Sequence, residues 1–297
     1  MSKPLTVAVI GCGTMGTSIV LGILESTTVN QGSSAIASPQ VSRVIACVRA
    51  QKSADRVIST LENHASRVEV SRGQNVKAMH EADIIILGCK PIMRNHILQV
   101  DGVREALAGK LLISILAGIS TGSLKECIYG AGDEYRGELC HIARGMPNMA
   151  AKIRESMTVL ATPTPALPDK FQAMTEWVFE QVGQVKSVAE AQFDIAAVLV
   201  GCSGSLMMLP IDGLLDGCVA EGLKRSDATE LVIQAVMGNI KLLTHGHHPS
   251  VLREEIASPG GCSIRALLKL ESAGVRTAFA DAIMEAAYQS RNMSKKR

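Results

Sequence analysis

LTVAVIGCGTMG, residues 5–16, decides the fold. Its first half, residues 5–10, is an unbroken β-rich apolar run, as expected of a strand buried on both faces of a parallel sheet. The run stops at Gly11. Gly11-Cys12-Gly13-Thr14-Met15-Gly16 then fits G-x-G-x-x-G, placed between that strand and the helical pattern MGTSIVLGILES. Each glycine has a mechanical duty in such a turn. Gly11 makes the tight bend, Gly13 lets the backbone approach a pyrophosphate, and Gly16 lets helix and strand pack closely. In this context Gly11, Cys12, Gly13, Thr14, Met15 and Gly16 are expected to bind a dinucleotide; the alternative is a structural turn without a ligand.

The pattern repeats outward from that stretch. After a Ser/Gly-rich loop at 30–40, RVIACV (43–48) reads as a second strand and SADRVISTLENHA as a helix. ADIIILGCKP (82–91) reads as a strand ending in a proline turn, and KLLISILAG (110–118) as another strand. ARGMPNM (143–149) reads as a loop and MTVLATP (157–163) as a later strand. TPTPALPDK (162–170) resembles a linker, but KFQAMTEWVFEQVG and QVKSV add one more helix and strand, extending the first domain to about residue 188. Beyond it the pattern is nearly all helical: EAQFDIAAVLVG, LPIDGLLDGCVAEGL, SDATELVIQAVMGNIKLLTHG, SVLREEIA, CSIRALLKLESAG and VRTAFADAIMEAAYQSRN. Strands alternating with helices predict a doubly wound parallel sheet. The expected architecture is therefore α/β: a Rossmann-type dinucleotide-binding domain over residues 1–188, followed by an all-α domain over residues 189–297. Several of the later helices are apolar on more than one face, so part of their surface is expected to meet another chain.

Composition excludes several classes. Hydrophobic residues make up 47% of the 297-residue chain but aromatics only 3%, which suits a parallel sheet and helix bundles. Thirty basic side chains against 28 acidic ones leave a net charge of +2, and only the terminal SKKR is a basic cluster. Neither nucleic acid nor an anionic membrane is an expected partner. The eight cysteines are dispersed, with no C-x-x-C pair and no zinc spacing, so no metal site is expected. The chain enters LTVAVIGCG without a basic n-region, so no secretory signal is expected. No apolar run reaches the roughly 18 residues of a membrane helix; AAVLVGCSGSLMMLPI comes closest, punctuated by glycines and serines. A soluble, reduced, cytoplasmic protein is the expectation.

Four further segments carry chemistry. The second strand ends in ACVRAQKS, where an NAD site would place an acid for the ribose 2′-hydroxyl. Arg49 stands there instead, with Lys52 and Ser53 behind it and no acid before Asp55. A guanidinium suits a 2′-phosphate, so NADPH is the expected cofactor, with NADH as the alternative. GCKP (88–91) lies at a strand's carboxyl end, where ligands sit in this fold. Cys89, Lys90 and Pro91 are thus candidates for the cofactor side, although Lys90 could equally be a solvated surface charge. Arg144 and Asn148 lie in the segment read as a loop facing the same crevice, with an Asx-type turn as the plain alternative for Asn148. Finally, SPGGCSIRALLKLES (258–272) lays two glycines and two hydroxyls at the mouth of a helix. Unpaired helix N–H groups suit a small anion; the plain alternative is an N-cap by Ser258 or Ser263.

Together, the motifs G-x-G-x-M-G, C-K-P, R-x-M-P-N at 144–148, HP at 248–249 and SPGGCSIRALLKLESAGVR at 258–276 resemble the pyrroline-5-carboxylate reductase family. The resemblance spans nearly the whole chain. It implies a Rossmann domain and an α-helical dimerisation domain whose helices interleave with a partner's. It also implies NAD(P)H-dependent reduction of the cyclic imine of pyrroline-5-carboxylate to proline. Carried over residue by residue, it assigns Ser258, Gly260, Gly261, Cys262 and Ser263 to the substrate carboxylate. The expected partners are a small cyclic imine carboxylate and a second copy of the chain, as a homodimer or an assembly of dimers.

The chain departs from the family at two places. After R-x-M-P-N, where the family commonly has Thr-Pro-Ala and glycines nearby, Met149, Arg154 and Ser156 occupy positions of that kind. The family's G-S-G-P-A-Tyr/Phe motif falls on Gly201-Cys202-Ser203-Gly204-Ser205-Leu206, with a new Pro210 a turn later. This leaves the identity of the imine open, a substituted or larger ring being the alternative. A protonated imine accepts hydride without a strong enzymatic acid, so alignment of the nicotinamide and the imine carbon carries the chemistry. Ser263 is the candidate for hydrogen bonding at the imine end. Two rivals stand beside this reading. A β-hydroxyacid dehydrogenase would need a lysine in the long interdomain helix, yet none occurs between Lys186 and Lys224. A dinucleotide-binding regulator without turnover is the other.

Overall fold

The computed structural model describes residues 4–29, 39–131 and 135–293. The chain divides into two compact units, one running to Gly201 and rejoined from Ala287, the other Cys202–Ala286.

In the first unit, β1 (Leu5–Ile10) leads into α1 (Thr14–Val29), and β2 (Val41–Val48) into α2 (Gln51–Thr60). β3 (Val68–Arg72), α3 (Asn75–Glu81), β4 (Ile84–Leu87), α4 (Arg94–Leu98) and α5 (Val103–Leu107) follow. Then come β5 (Leu111–Ser114), α6 (Thr121–Tyr129), β6 (His141–Met146), β7 (Ser156–Thr162), α7 (Asp169–Glu180) and β8 (Gly183–Ala189). The eight strands form one sheet in the order β3-β2-β1-β4-β5-β6-β7-β8. Alternate residues of β1 and β4 enter two apolar layers. Val7, Val9, Ile84 and Ile86 pack with α1 and α7, while Ala8, Ile10, Ile85 and Leu87 pack with α3, α5 and α6. Both faces of these strands are covered, which is why their sequences run apolar without alternation.

Three expectations need correction. The sheet is not wholly parallel: β6 pairs antiparallel with β7, and β8 runs parallel to β7. The β6–β7 connection is short and holds only a 3-10 turn at Met149–Ile153, too little chain for the crossover that a parallel neighbour requires. The segment 143–149, read as a loop, is half strand, since His141–Met146 is β6. Gly145 and Arg144 disguise it. Gly145 is small because a Cβ there would meet the Phe179 ring at 2.5 Å. The helix read over SADRVISTLENHA ends at Thr60, and a separate 3-10 turn, Glu62–Arg67, leads into a strand the pattern did not reveal.

The second unit is helical. α8 (Glu190–Ala220) starts in the first unit and continues here, followed by α9 (Arg225–Thr244), α10 (Pro249–Ile256), α11 (Cys262–Ser272) and α12 (Val275–Met293). Two expected helices are thus one: Pro210 lies inside α8, and the loss of a single i→i−4 bond does not end a helix of 31 residues. α8 also corrects the hydropathy reading, because one 18-residue window reaches a mean hydropathy of 1.7, enough by length and composition to cross a membrane. Its glycines and serines dilute the apolar run without making it polar. Within Cys202–Ala286 the buried apolar residues are only Leu215, Ala228 and Leu252. Leu209, Leu231, Leu268 and Met284 are each at least 60% exposed. Helices with so little core of their own need another apolar surface to cover them.

Candidate active site

Sheet order reverses at β1, whose neighbours are β2 on one side and β4 on the other. The chain therefore winds away in both directions from this strand, and the crevice beyond the carboxyl ends of β1 and β4 is where such a fold binds ligands. The Gly-rich turn stands at that point. Gly11 has φ +82°, and a Cβ on it would lie 2.7 Å from the backbone of Cys89. The amides of Gly11 and Cys12 both donate to the Cys47 carbonyl, at 3.0 and 2.8 Å, fastening the turn to β2. A Cβ on Gly16 would stand 2.9 Å from Val9 Cγ1, so helix and strand are in contact there. Around Gly13 the nearest atom to such a Cβ is the Gly11 carbonyl oxygen at 3.9 Å. The turn is therefore tight at Gly11 and Gly16 and open at Gly13. That is the shape a pyrophosphate cradle requires, and the cradle fits a dinucleotide.

Thr14 is exposed at the first position of α1, which carries no acid in its first turn, and Met15 packs on the core beneath. Cys12 differs from expectation in one respect. Its side chain is buried against Thr17 Oγ1 at 3.6 Å, and burial pushes the thiol up to about 11. Only its main chain faces the turn's outer side, where the carbonyl accepts from Arg56 Nη2 at 3.3 Å.

β4 delivers the second wall. Gly88 N–H donates to the Ile10 carbonyl at 2.9 Å, setting Gly88-Cys89 directly against Gly11. Cys89 is half-buried, its thiol pushed up to about 11 by burial. Lys90 is exposed, and Pro91 opens a 3-10 turn, Pro91–Met93. Arg49 is exposed directly after β2, where the acid of an NAD site would stand. The Gly-rich turn, the GCKP loop and Arg49 thus lie at the carboxyl ends of three neighbouring strands.

The R-x-M-P-N segment behaves otherwise. Arg144 does not sit in a crevice loop. It is 3% exposed on β6, with Nη1 3.1 Å from Glu190 Oε1 and Nη2 2.6 Å from Asp194 Oδ1. Its guanidinium carbon stands 4.1 Å from the centre of the Phe193 ring. Arg144 thereby fastens the first two turns of α8 to the sheet. Asn148 adopts the Asx-type arrangement: its Oδ1 accepts from Ala150 N–H at 3.1 Å, and its own N–H donates to Ser156 Oγ at 3.0 Å.

In the second unit, the SPGG stretch makes a turn between α10 and α11. Gly261 N–H donates to the Ser258 carbonyl at 3.0 Å, and Gly260 takes φ +72°. Gly261 is the N-cap of α11 and no side chain caps the helix, so the plain reading of a Ser258 or Ser263 cap does not hold. No acid lies in the first turn. Cys262 is exposed and Ser263 half-buried at this uncapped end. Behind it, Glu271 Oε1 accepts from Arg253 Nη1 at 3.1 Å and also from Arg276, tying α10 and the start of α12 to α11. His248 caps α10, its Nδ1 accepting from Ser250 N–H at 3.2 Å.

Sequence reasoning missed three groups: Arg56, the Glu190 and Asp194 partners of Arg144, and the Glu271 bridge. For Arg56 a signal existed, since it follows Lys52 by four residues on a helix beginning at Gln51. The other two join residues that no local pattern connects.

Residues 6–118 match the family described as NADP oxidoreductase, coenzyme F420-dependent, and residues 190–293 match pyrroline-5-carboxylate reductase dimerisation. A pyrroline-5-carboxylate reductase of Lophium arboricola is 39% identical over 301 residues, covering 98% of this chain and 94% of its own. The Schizosaccharomyces pombe enzyme of that name is 32% identical over 97% of this chain and 98% of its own. The fold superposes on Plasmodium falciparum pyrroline carboxylate reductase, solved with NADP bound, with a TM-score of 0.80 at 23% identity over 98% of both chains. Motifs, fold and end-to-end likeness agree, and the chain belongs to the pyrroline-5-carboxylate reductase family.

Proposed function

We infer that the chain reduces the C=N bond of pyrroline-5-carboxylate to give proline, with NADPH as hydride donor and NADH as the weaker alternative. The observation that carries this is the Gly-rich turn, tight at Gly11 and open at Gly13, in a chain matched over 98% of its length by a reductase of that name. When bound, the cofactor supplies the hydride. The chain's own residues bind and orient. The backbone of Gly11, Cys12, Gly13, Thr14, Met15 and Gly16 receives the pyrophosphate at the N-terminus of α1. Arg49 meets the 2′-phosphate, and Cys89, Lys90, Pro91 and Asn148 border the cofactor. The Asn148 oxygen already serves the local turn, which leaves its amide N–H₂ for that role. At the other site, the backbone amides of Gly260, Gly261, Cys262 and Ser263 hold the substrate carboxylate beside Ser258. The Ser263 hydroxyl hydrogen-bonds at the imine end.

Residues 189–297 form the dimerisation domain and residues 1–188 the nucleotide domain. A second copy of the chain, rather than lipid, covers the apolar surface of α8 and α9, in a homodimer or an assembly of dimers. All eight cysteines are free thiols, which suits the reducing cytoplasm.

One observation supports a wider substrate range. Gly204 stands where the family carries proline, and Leu206 where it carries an aromatic ring. The chain is accordingly expected to accept ring-substituted pyrroline carboxylates. An NADPH-oxidation assay over a panel of cyclic imine acids tests both readings. Turnover of none of them would overturn the assignment as a reductase. Strict preference for the unsubstituted ring would overturn the wider range alone.

A further inference from the structure

We propose that Arg144 is a positioning residue for hydride transfer: clamped to the first turns of α8, it sets where the loop after β6 holds Asn148. The proposal rests on the reading that Asn148 borders the cofactor.

β6 changes partner beside Arg144. His141, Ile142, Ala143 and Arg144 pair in parallel with β5, and from Gly145 the strand pairs antiparallel with β7. Only Gly145 and Met146 are held to β7 before the strand ends. Pro147 and Asn148 follow at once, and the proline ring fixes its own φ, so the link from strand to Asn148 is stiff. Arg144 thus stands where the backbone leaves the parallel sheet, just ahead of Asn148. Two hydrogen bonds shape the loop itself: Asn148 N–H donates to Ser156 Oγ, and Asn148 Oδ1 accepts from Ala150 N–H. Neither of them ties the loop to α8. The Arg144 side chain does.

Three residues of α8 converge on its guanidinium. Glu190, Phe193 and Asp194 lie at i, i+3 and i+4, on one face of the helix. Nη1 is 3.1 Å from Glu190 Oε1, Nη2 is 2.6 Å from Asp194 Oδ1, and the guanidinium carbon is 4.1 Å from the centre of the Phe193 ring. Phe193 is itself fully buried with Val159 and Ala161 of β7. All of these residues belong to the first unit. Stability does not account for the arrangement. Arg144 Nε and Glu190 Oε2 are buried without a partner among the described residues, and each such group costs free energy. A well-packed apolar cluster of similar volume is often as stable as a buried ion pair, or more so. What it lacks is direction. An apolar contact tolerates sliding, whereas a planar fork seated on two carboxylates and a ring face does not. The clamp therefore fixes the level of β6 against α8, and with it the point from which the Asn148 loop departs. Hydride transfer is sensitive to such placement, since a misplacement of about 1 Å can cost on the order of a hundredfold in rate.

The test is a double-mutant cycle of Arg144→Met and Asn148→Ala. Its readout is the rate constant of single-turnover NADPH oxidation with pyrroline-5-carboxylate, which does not depend on the fraction of protein folded. NADPH dissociation constants are measured beside it by calorimetry. Arg144→Met is expected to slow the turnover roughly tenfold or more, with NADPH affinity changed by less than about threefold. Arg144→Lys should fall between, since an ammonium keeps the charge without the fork. The double variant should be no slower than Asn148→Ala alone, to within about twofold, because the two residues act through one placement. If Arg144→Met does not fold, Asp194→Asn, which leaves the arginine paired with Glu190, takes its place in the cycle with the same expected pattern. A parent-like rate in the folded Arg144 or Asp194 variant would overturn the proposal, as would a double variant slowed by the full product of the two single effects. A parent-like rate in Asn148→Ala would overturn the reading of Asn148 itself, and this inference with it.

Discussion

Gly11 and Cys89 meet backbone to backbone: a Cβ on Gly11 would lie 2.7 Å from both the nitrogen and the Cα of Cys89. The contact joins the turn after β1 to the loop after β4 at the strand where the sheet reverses direction. Backbone cannot rotate away as a side-chain tip can, and φ +82° at Gly11 adds about 1–2 kcal/mol of strain for any other residue. Gly11→Ala should therefore lower the unfolding midpoint and weaken NADPH together. Gly13→Ala should behave differently. The space around Gly13 is open, so its methyl should spare the fold and obstruct the cofactor. Unfolding scans and NADPH titration of both variants check this. Equal stability loss in the two would contradict the division of labour.

The Arg144 cluster makes a prediction about stability. The arginine side chain is 2% exposed, whereas those of Glu190 and Asp194 are 31% and 45% exposed. Neutralising the two acids leaves a buried charge without compensation, a change worth about 3–5 kcal/mol. Arg144→Met removes that charge and keeps an apolar contact with Phe193, so it should cost less. Denaturant unfolding of the Glu190→Gln, Asp194→Asn double variant against Arg144→Met checks the order. The reverse order would show that Arg144 is held by packing alone.

Cofactor choice should follow Arg49. Replacing it by Asp supplies the acid that would hydrogen-bond a ribose 2′-hydroxyl and repel a 2′-phosphate. NADPH should weaken far more than NADH in steady-state kinetics. If both change alike, Arg49 is a surface charge without a part in recognition.

Assembly should be sensitive to single exposed residues of α8. Leu209 is 73% exposed, and at a solvated surface its change to Asp would alter stability by only about 0.5 kcal/mol. At an isologous interface the charge appears twice across the symmetry axis and would be buried. Sedimentation at micromolar concentration should show a dimer or larger for the parent and smaller species for Leu209→Asp. A monomeric, active parent would remove the dimer from the account.

What could be read from sequence follows the range of the interactions involved. The strands β1, β2, β4 and β5 announce themselves by unbroken apolar runs, and the Gly-rich turn by spacing that its own backbone demands. β6 was hidden because its defining features answer to distant partners. Gly145 makes room for Phe179, and Arg144 waits for acids more than forty residues onward. The reversal of direction between β6 and β7 depends on the length of a connection, which hydrophobic periodicity does not report. In the helical unit the pattern placed the helices well but broke α8 over residues 202–208, giving local propensity more weight than it carries in a long helix. Of the SPGG stretch, composition revealed the turn. It did not reveal that the cap position falls to Gly261, leaving both serines uninvolved in capping.

That stretch yields the most discriminating prediction. A Cβ on Gly261 would stand 2.5 Å from Ser258 Oγ and 3.1 Å from the Ser258 carbonyl oxygen, so a valine there must push Ser258 aside and crowd the first turn of α11. If the backbone amides of that turn hold the substrate carboxylate, Gly261→Val should raise KM for the imine acid steeply. NADPH binding should be nearly unchanged, because the Gly-rich turn belongs to the other unit. Each charge-assisted hydrogen bond lost is worth about 1.5–3 kcal/mol, so the loss of one should reduce kcat/KM by roughly tenfold or more. Ser263→Ala should cost less, since one hydroxyl goes while the backbone donors stay. A cyclic imine without the carboxylate supplies the control. It should be a poor substrate of the parent protein and indifferent to the valine. Should folded Gly261→Val protein turn over the carboxylated imine as the parent does, the SPGG turn is a helix start and nothing more.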